Sequence, residues 1–198
     1  GRTYLASGML NKAKAEAQRT LDALQPFVEA GMPIVGLEPS CLFTLTDEFL
    51  NMLGGEAPKR LADRVVMFEQ FLIDEGSKGF SELSLASPAG QKAVVHGHCH
   101  QKAFNAHGAV HQVLASISGL EVEPIPAGCC GMAGAFGYQS ETQEVSVKMA
   151  ELDLLPAIRE TDAADWVVAD GFSCRHQIEG LAQRKGRHVA QILAGVLK

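Results

Sequence analysis

Short apolar runs alternate along this chain with longer stretches of helical period, and that alternation limits the possible folds more than any other feature. Residues 33–37, 92–96, 120–125 and 165–170 are each too short for a helix and carry Val or Ile near their centres, as buried strands do. Residues 9–30 read as an amphipathic helix: Leu10, Ala13, Ala17, Leu21, Leu24 and Val28 follow the helical period, and Gly31 ends it. Further helices are expected over 42–53, 59–74, 100–117, 141–160, 175–185 and 188–197, with Pro58 in the first turn of the second of these. Strands alternating with such helices imply βαβ units, so the expected class is α/β with mainly parallel sheets. Residues 76–90, rich in Gly and Ser, are the expected boundary between two parts, 1–90 and 91–198.

The two parts look related. Gly1 to Cys41 runs from a glycine through a short loop and a long helix to Pro-Ile-Val-Gly-Leu-Glu-Pro-Ser-Cys. Gly131 to Cys174 repeats that order and ends in Trp-Val-Val-Ala-Asp-Gly-Phe-Ser-Cys. A helix follows each cysteine, and beyond it Arg64 to Leu72 matches Arg187 to Leu193. The shared Ser-Cys after each strand favours duplication over chance overlay of two βαβ units, across about seventy residues. The expectation is two pseudo-symmetric repeats, the first truncated at its N-terminus just after a Cys-Cys pair of its own.

Composition narrows the function. No apolar run approaches the ~20 residues of a membrane helix, and the first residues lack the pattern of a signal peptide. A net charge of −6 without a Lys/Arg cluster argues against nucleic acid as a partner. Five cysteines, an odd number with two adjacent, argue against a disulfide framework and for metal or redox chemistry in a reducing, cytoplasmic setting.

Cys41, Cys99, Cys129, Cys130 and Cys174 all follow expected strands, at the sheet edge where α/β sites assemble. Thiolates gathered there repel one another unless a cation neutralises them. Four of them, Cys99, Cys129, Cys130 and Cys174, suit a [4Fe–4S] cluster or a tetrahedral zinc. Structural zinc sites usually take close pairs such as C-x₂-C, which this chain lacks. Adjacent cysteines fit two corners of one small tetrahedron poorly, which favours iron–sulfur. Two alternatives stay open: a thiol/disulfide module cycling Cys129-Cys130, and a zinc-stabilised interaction module.

Gly128-Cys129-Cys130-Gly131, with His96-Gly97-His98-Cys99-His100 before it and Ser173-Cys174 after it, resembles the cysteine-rich CCG domain. That domain occurs in heterodisulfide reductase, in the iron–sulfur subunit of glycolate oxidase and in anaerobic glycerol-3-phosphate dehydrogenase. Cys129 to Tyr138, with Glu38-Pro39-Ser40-Cys41 and Cys174-Arg175-His176-Gln177, is similar to a narrower group. These are FAD-linked D-lactate or D-2-hydroxyglutarate dehydrogenase-like oxidases with a C-terminal iron–sulfur region.

The resemblance implies an electron-transfer module of an enzyme that oxidises a 2-hydroxy acid. Electrons would arrive from FAD on a flavin domain outside this chain and pass through a [4Fe–4S] cluster on Cys99, Cys129, Cys130 and Cys174. They would leave to a quinone, cytochrome or carrier protein. It also implies a cytoplasmic location, with peripheral attachment to the inner membrane face as a variant. One departure matters: heterodisulfide reductase ends its motif in Cys-x-x-Cys, whereas Gln177 stands at that place here and Thr44 at its first-repeat equivalent. Four thiolates, not five, are therefore expected, with Cys41 as a further metal ligand only if it approaches across the pseudo-two-fold.

Around the ligands, His98, His100 and His176 are candidates to donate to cluster sulfur, with direct ligation by His176 ranked lower, and Gly131 to supply a backbone N–H. His96 is expected to bond loop backbone. His107, His111 and His188 are expected on helix surfaces or in packing. Gly131, Gly134 and Gly137 lack the G-x-G start of a nucleotide loop and are expected to turn the chain about the metal. Asp165 and Asp170 are expected as solvated strand ends, and Met132 and Phe136 as a shield against water. No catalytic nucleophile arrangement stands out.

Overall fold

The alternation produces an α/β protein. The computed structural model describes residues 1–76 and 82–198, which fall into two compact units, Gly1–Phe68 and Glu69–Lys198. In the first, α1 (Arg2–Ala6) leads into α2 (Leu10–Glu29), whose buried stripe is Ala13, Ala17, Leu21 and Val28. Alanines at two of these positions let α2 lie closely against α4 (Glu48–Leu53) and α5 (Glu56–Ala62). Strands β1 (Ile34–Gly36) and β2 (Val65–Met67) pair in parallel, Ile34 opposite Val65. The turn from β1 into α3 (Pro39–Phe43) is tight. A Cβ on Gly36 would stand 2.3 Å from Leu42 Cδ1.

The structure corrects two expectations here. The helix read over 59–74 is interrupted, because β-branched Val65 and Val66 gain more from pairing with β1 than from continuing α5. The helix resumes only as α6 (Phe68–Asp74). The helix read over 42–53 likewise splits, with turns at 44–47 separating α3 from α4.

The second unit holds a four-stranded sheet in the order β4-β3-β5-β6, every neighbour parallel. Its strands are β3 (Gln91–Val95), β4 (Leu120–Pro124), β5 (Trp166–Val168) and the two-residue β6 (Gly186–Arg187), too short to leave an apolar signature. From β3 the chain crosses by α7 (Cys99–Ala103) and α8 (His107–Ala115) to β4. It returns through α9 (Gln143–Ala150) and α10 (Leu154–Glu160) to β5, on the other side of β3. α11 (Phe172–Ala182) then leads to β6, and α12 (Val189–Val196) closes the unit. β3 and β5 are neighbours whose connections leave in opposite directions, so a crevice opens at their carboxyl ends.

Two more expected helices are broken. Asn105, with φ 55°, separates α7 from α8, and Asp153, in a non-helical conformation, separates α9 from α10. Of the expected boundary at 76–90, residues 77–81 lie outside the described residues. Beyond them, Ala86 N–H donates to Val196 O and Lys198 N–H to Ser84 O, so this segment runs beside the end of α12. No helix among the described residues is long and apolar enough to cross a membrane.

The core beneath the crevice includes Val94, Ile125, Leu154, Ile158, Val167 and Ile178, continuous with Cys130 and Cys174. Ile178→Ala is expected to cost about 2–5 kcal/mol in a denaturant melt, the usual range for an Ile-to-Ala cavity.

Candidate metal centre

Cys99 opens α7 after β3, the loop after β4 carries Cys129 and Cys130, and Cys174 lies in the first turn of α11 after β5. Parallel strands in adjacent register deliver all four to one edge of the sheet. Their sulfurs form a continuous row, Cys99 to Cys129 to Cys130 to Cys174, each facing the next. The Cys130 and Cys174 sulfurs stand 3.2 Å apart. Cys174 is fully buried and Cys130 nearly so, while Cys129 and Cys99 are half-exposed. The row thus runs from the core to the surface.

Neighbouring thiols in such a row cannot all ionise, because each thiolate raises the cost of the next. Cys129 takes hydrogen bonds from Cys130 and Cys99, which hold its pKa far below that of a free thiol; the Gly131 N–H, 3.3 Å away, helps. Cys174 is likewise held well below the ordinary value, chiefly by Cys130 and against the cost of burial, with His96 assisting. Cys99 and Cys130 are pushed up, first by keeping their protons to serve these partners and then by burial. Cys129 and Cys174 are thus pushed toward the thiolate and their neighbours toward the thiol, and an entering cation would favour ionisation of all four.

His96 differs from the expected backbone-bonded residue. It is 1% exposed, and neither ring nitrogen makes a regular hydrogen bond among the described residues. One ring nitrogen lies within 4.8 Å of the Cys130 and Cys174 sulfurs. A buried imidazole left in this state beside two buried sulfurs fits a metal centre better than an apolar core. His98 instead caps α7: its Nδ1 accepts from His100 N–H and its backbone N–H donates to Gln101 Oε1. Its Nε2 therefore carries the proton. A Cβ on Gly171 would meet both this Nε2 and Cys174 Sγ at 3.1 Å, so only glycine lets the two approach. His100 stacks on His98, and His176 lies at the surface against Phe172 with Nδ1 3.1 Å from the Tyr138 hydroxyl.

The glycines behave as loop hinges. Gly131 has φ 84°, and a Cβ there would be 2.1 Å from Ser146 O, which no side chain could accept. Gln177, at the position where a fifth cysteine would stand, is buried and donates to Ser146 Oγ at 3.1 Å. Ser146 in turn contacts Met132 Sδ, so Gln177 braces the Cys-Cys loop from below. Met132 is buried and Phe136 half-buried beside that loop. Lys102 donates to the carbonyls of Ala127 and Gly128 and ties α7 to the same loop.

Asp170 departs furthest from expectation. Rather than solvated, it is 2% exposed, with Oδ2 accepting from Gln101 Nε2 at 2.9 Å and Oδ1 from Val189 N–H at 3.0 Å. His188 is also buried and caps α12 rather than lying at the surface. Asp165 does sit in a turn, accepting from Asp162 N–H. His107 and His111 pair at 3.1 Å, and His107 closes over Gly97. Cys41 lies in the first unit, lining a cavity of about 550 Å³ with Arg2, Glu38 and Leu42. Its thiol is pushed up by burial and by Glu38. The surroundings of His96, Asp170 and Glu69 leave no mark in the sequence, because no spacing rule links residues that meet only through sheet order.

No family model matches the chain, and no solved structure matches it. Among curated proteins, it is 28% identical over 199 residues to D-2-hydroxyglutarate dehydrogenase of Escherichia coli (strain K12), covering 100% of this chain and 19% of that protein. The same-named protein of Pantoea ananatis is 29% identical, over 98% of this chain and 18% of its own length. One subunit of the anaerobic glycerol-3-phosphate dehydrogenase of Escherichia coli (strain K12) is 29% identical over 203 residues, 100% of this chain and 49% of that subunit. The chain therefore spans about a fifth of the first two relatives and about half of the third.

The titration pattern gives a chemical prediction for the metal-free protein. Alkylation by iodoacetamide should proceed at Cys129 with little change in rate between pH 6 and 8, because its thiolate is already formed. At Cys41 the rate should rise about tenfold per pH unit, as for a thiol still protonated. Peptide mass spectrometry reads both sites.

Proposed function

We propose that this chain is the iron–sulfur electron-transfer module of a flavin-dependent oxidoreductase. The observation that carries the reading is the unbroken row of four sulfurs, Cys99, Cys129, Cys130 and Cys174, at the switch point of a parallel sheet. A donor set of thiolates alone, drawn from the ends of three separate strands, suits a [4Fe–4S] cluster. Such a centre, when bound, accepts and passes single electrons.

The chain's own residues do the rest. Lys102 and Gln177 hold the Cys-Cys loop in place, and Gly131 N–H donates to Cys129, which stabilises negative charge on that sulfur. Burial of Cys130, Met132 and Cys174 excludes water from one end of the row, while half-exposed Cys99 and Cys129 bring the other end toward a partner's reach. The electron donor in this reading is FAD on another part of the parent protein or complex. The acceptor is a quinone, cytochrome or carrier protein. The names of the relatives favour a 2-hydroxy acid as the substrate oxidised at the flavin.

One observation favours a second reading. His96, Cys130 and Cys174 place three ligand atoms within 4.8 Å of one another, a spacing that one zinc ion could occupy. Metal analysis of anaerobically purified protein separates the two. The iron–sulfur reading expects iron and acid-labile sulfide in equal amounts, about four of each per chain, and their loss in Cys99→Ser. Stoichiometric zinc without sulfide, retained in Cys99→Ser, would instead establish the single-ion site.

A further inference from the structure

Beside the sulfur row, but not part of it, lies a second buried cluster: Glu69 on α6, Asp170 after β5 and His188 at the start of α12. Glu69 is completely buried, and neither carboxylate oxygen has a hydrogen-bond partner among the described residues. One of its oxygens lies within 4.8 Å of a carboxylate oxygen of Asp170 and a ring nitrogen of His188.

A metal ion is a poor occupant. His188 Nδ1 accepts from Ala190 N–H at 3.0 Å, so the proton sits on Nε2, the nitrogen facing Asp170 Oδ1 at 3.5 Å. A protonated Nε2 cannot ligate. Two carboxylates alone make a thin donor set.

A proton fits better. Asp170 receives Gln101 Nε2–H and Val189 N–H and faces His188 Nε2–H, so its negative charge is well satisfied. Glu69 receives no bond from any other described residue, and two buried carboxylates this close cannot both stay ionised. We infer that Glu69 and Asp170 form a buried acid pair that holds one proton at neutral pH, carried by Glu69, and that this proton site senses the charge on the neighbouring thiolate centre.

Titration supports the geometry: burial first, and Asp170 second, push Glu69 up to about 8. Asp170 and His188 are the titratable groups that face Glu69. His107, on α8, feels Asp170 and is itself lowered to about 4, mainly by burial, so it stays neutral.

The link to the sulfurs is built into the loops. Asp170 holds Gln101, which holds the backbone N–H of His98 next to Cys99, and Asp170 lies one turn before Cys174 on its other side. Adding one electron to the centre adds one negative charge at this end of the sheet. That charge raises the proton affinity of Glu69, and by reciprocity a proton on Glu69 favours the electron. In balance, above about pH 8, where Glu69 is ionised in the oxidised protein, one electron from the flavin domain enters the centre as Glu69 carboxylate takes one proton from solvent, and oxidation reverses both; at neutral pH Glu69 already carries its proton and the electron enters alone.

The link rests on the proposed electron-transfer function, whereas the acid pair does not, so the test has two arms. First, thermal melts of the metal-free protein and Glu69→Gln are compared from pH 4 to 10. The raised pKa makes the buried glutamate cost stability increasingly from its unfolded value of 4.5 up to about 8. The variant should therefore melt increasingly above wild type over that window, with no further widening beyond it. A gap independent of pH overturns the acid pair, and Glu69→Met, which carries no charge, should behave as Glu69→Gln does.

Second, the midpoint potential of the iron–sulfur-loaded protein is followed from pH 6 to 10. It should stay level up to about pH 8 and fall above it in wild type, and stay level throughout in Glu69→Gln. A level wild-type profile, or an equal slope in both proteins, overturns the coupling. A protein that holds no iron–sulfur centre overturns the coupling together with the electron-transfer reading, and leaves the acid pair to the melts.

Discussion

Mutual repulsion among four sulfurs at one sheet edge is the constraint around which the second unit is organised. Parallel strands must end on the same side, and the order β4-β3-β5-β6 brings the ends of β3, β4 and β5 together there. Thiolates at helix starts are individually favoured by free N–H groups, yet collectively they are opposed by their own charge. Their mutual hydrogen bonds push Cys129 and Cys174 toward the thiolate and Cys99 and Cys130 toward the thiol.

The surroundings follow from that demand. Residues that might have packed as plain core are polar and used: His96 against the buried sulfurs, Gln177 under the Cys-Cys loop, Asp170 among its donors. Two His-x-x-Gln capping boxes, His98 with Gln101 and His188 with Gln191, begin the helices on either side of Asp170. Each fixes a histidine tautomer by giving Nδ1 to a backbone N–H. A buried glutamate that no described neighbour bonds costs stability, and Glu69 lies beside this network.

The class of fold was legible because helix and strand differ in period, and the 9–30 stretch shows this plainly, with its buried stripe at Ala13, Ala17, Leu21 and Val28. Boundaries were less so. Val65 and Val66 fit a helical phase in the sequence, and only their pairing with β1 decides against it. The four cysteines could be singled out from the sequence because Cys-Cys-Gly, His-x-His-Cys-His and Ser-Cys are local signals. His96 and Asp170 differ from expectation for the opposite reason. Their environments come from neighbours distant in sequence, and a strand-end residue looks the same on paper whether solvent or another helix start lies beyond it. Glu69 sits next to a hydrophobic strand, in a phase that gave no reason to expect complete burial.

The central claim is that the sulfur row holds a multinuclear iron–sulfur centre. X-ray absorption at the metal edge of anaerobically purified protein tests it most directly. The predicted result is iron surrounded by sulfur alone, with neighbouring iron atoms in the next coordination sphere. Zinc bound by two sulfurs and an imidazole nitrogen, with no metal neighbour, would contradict it.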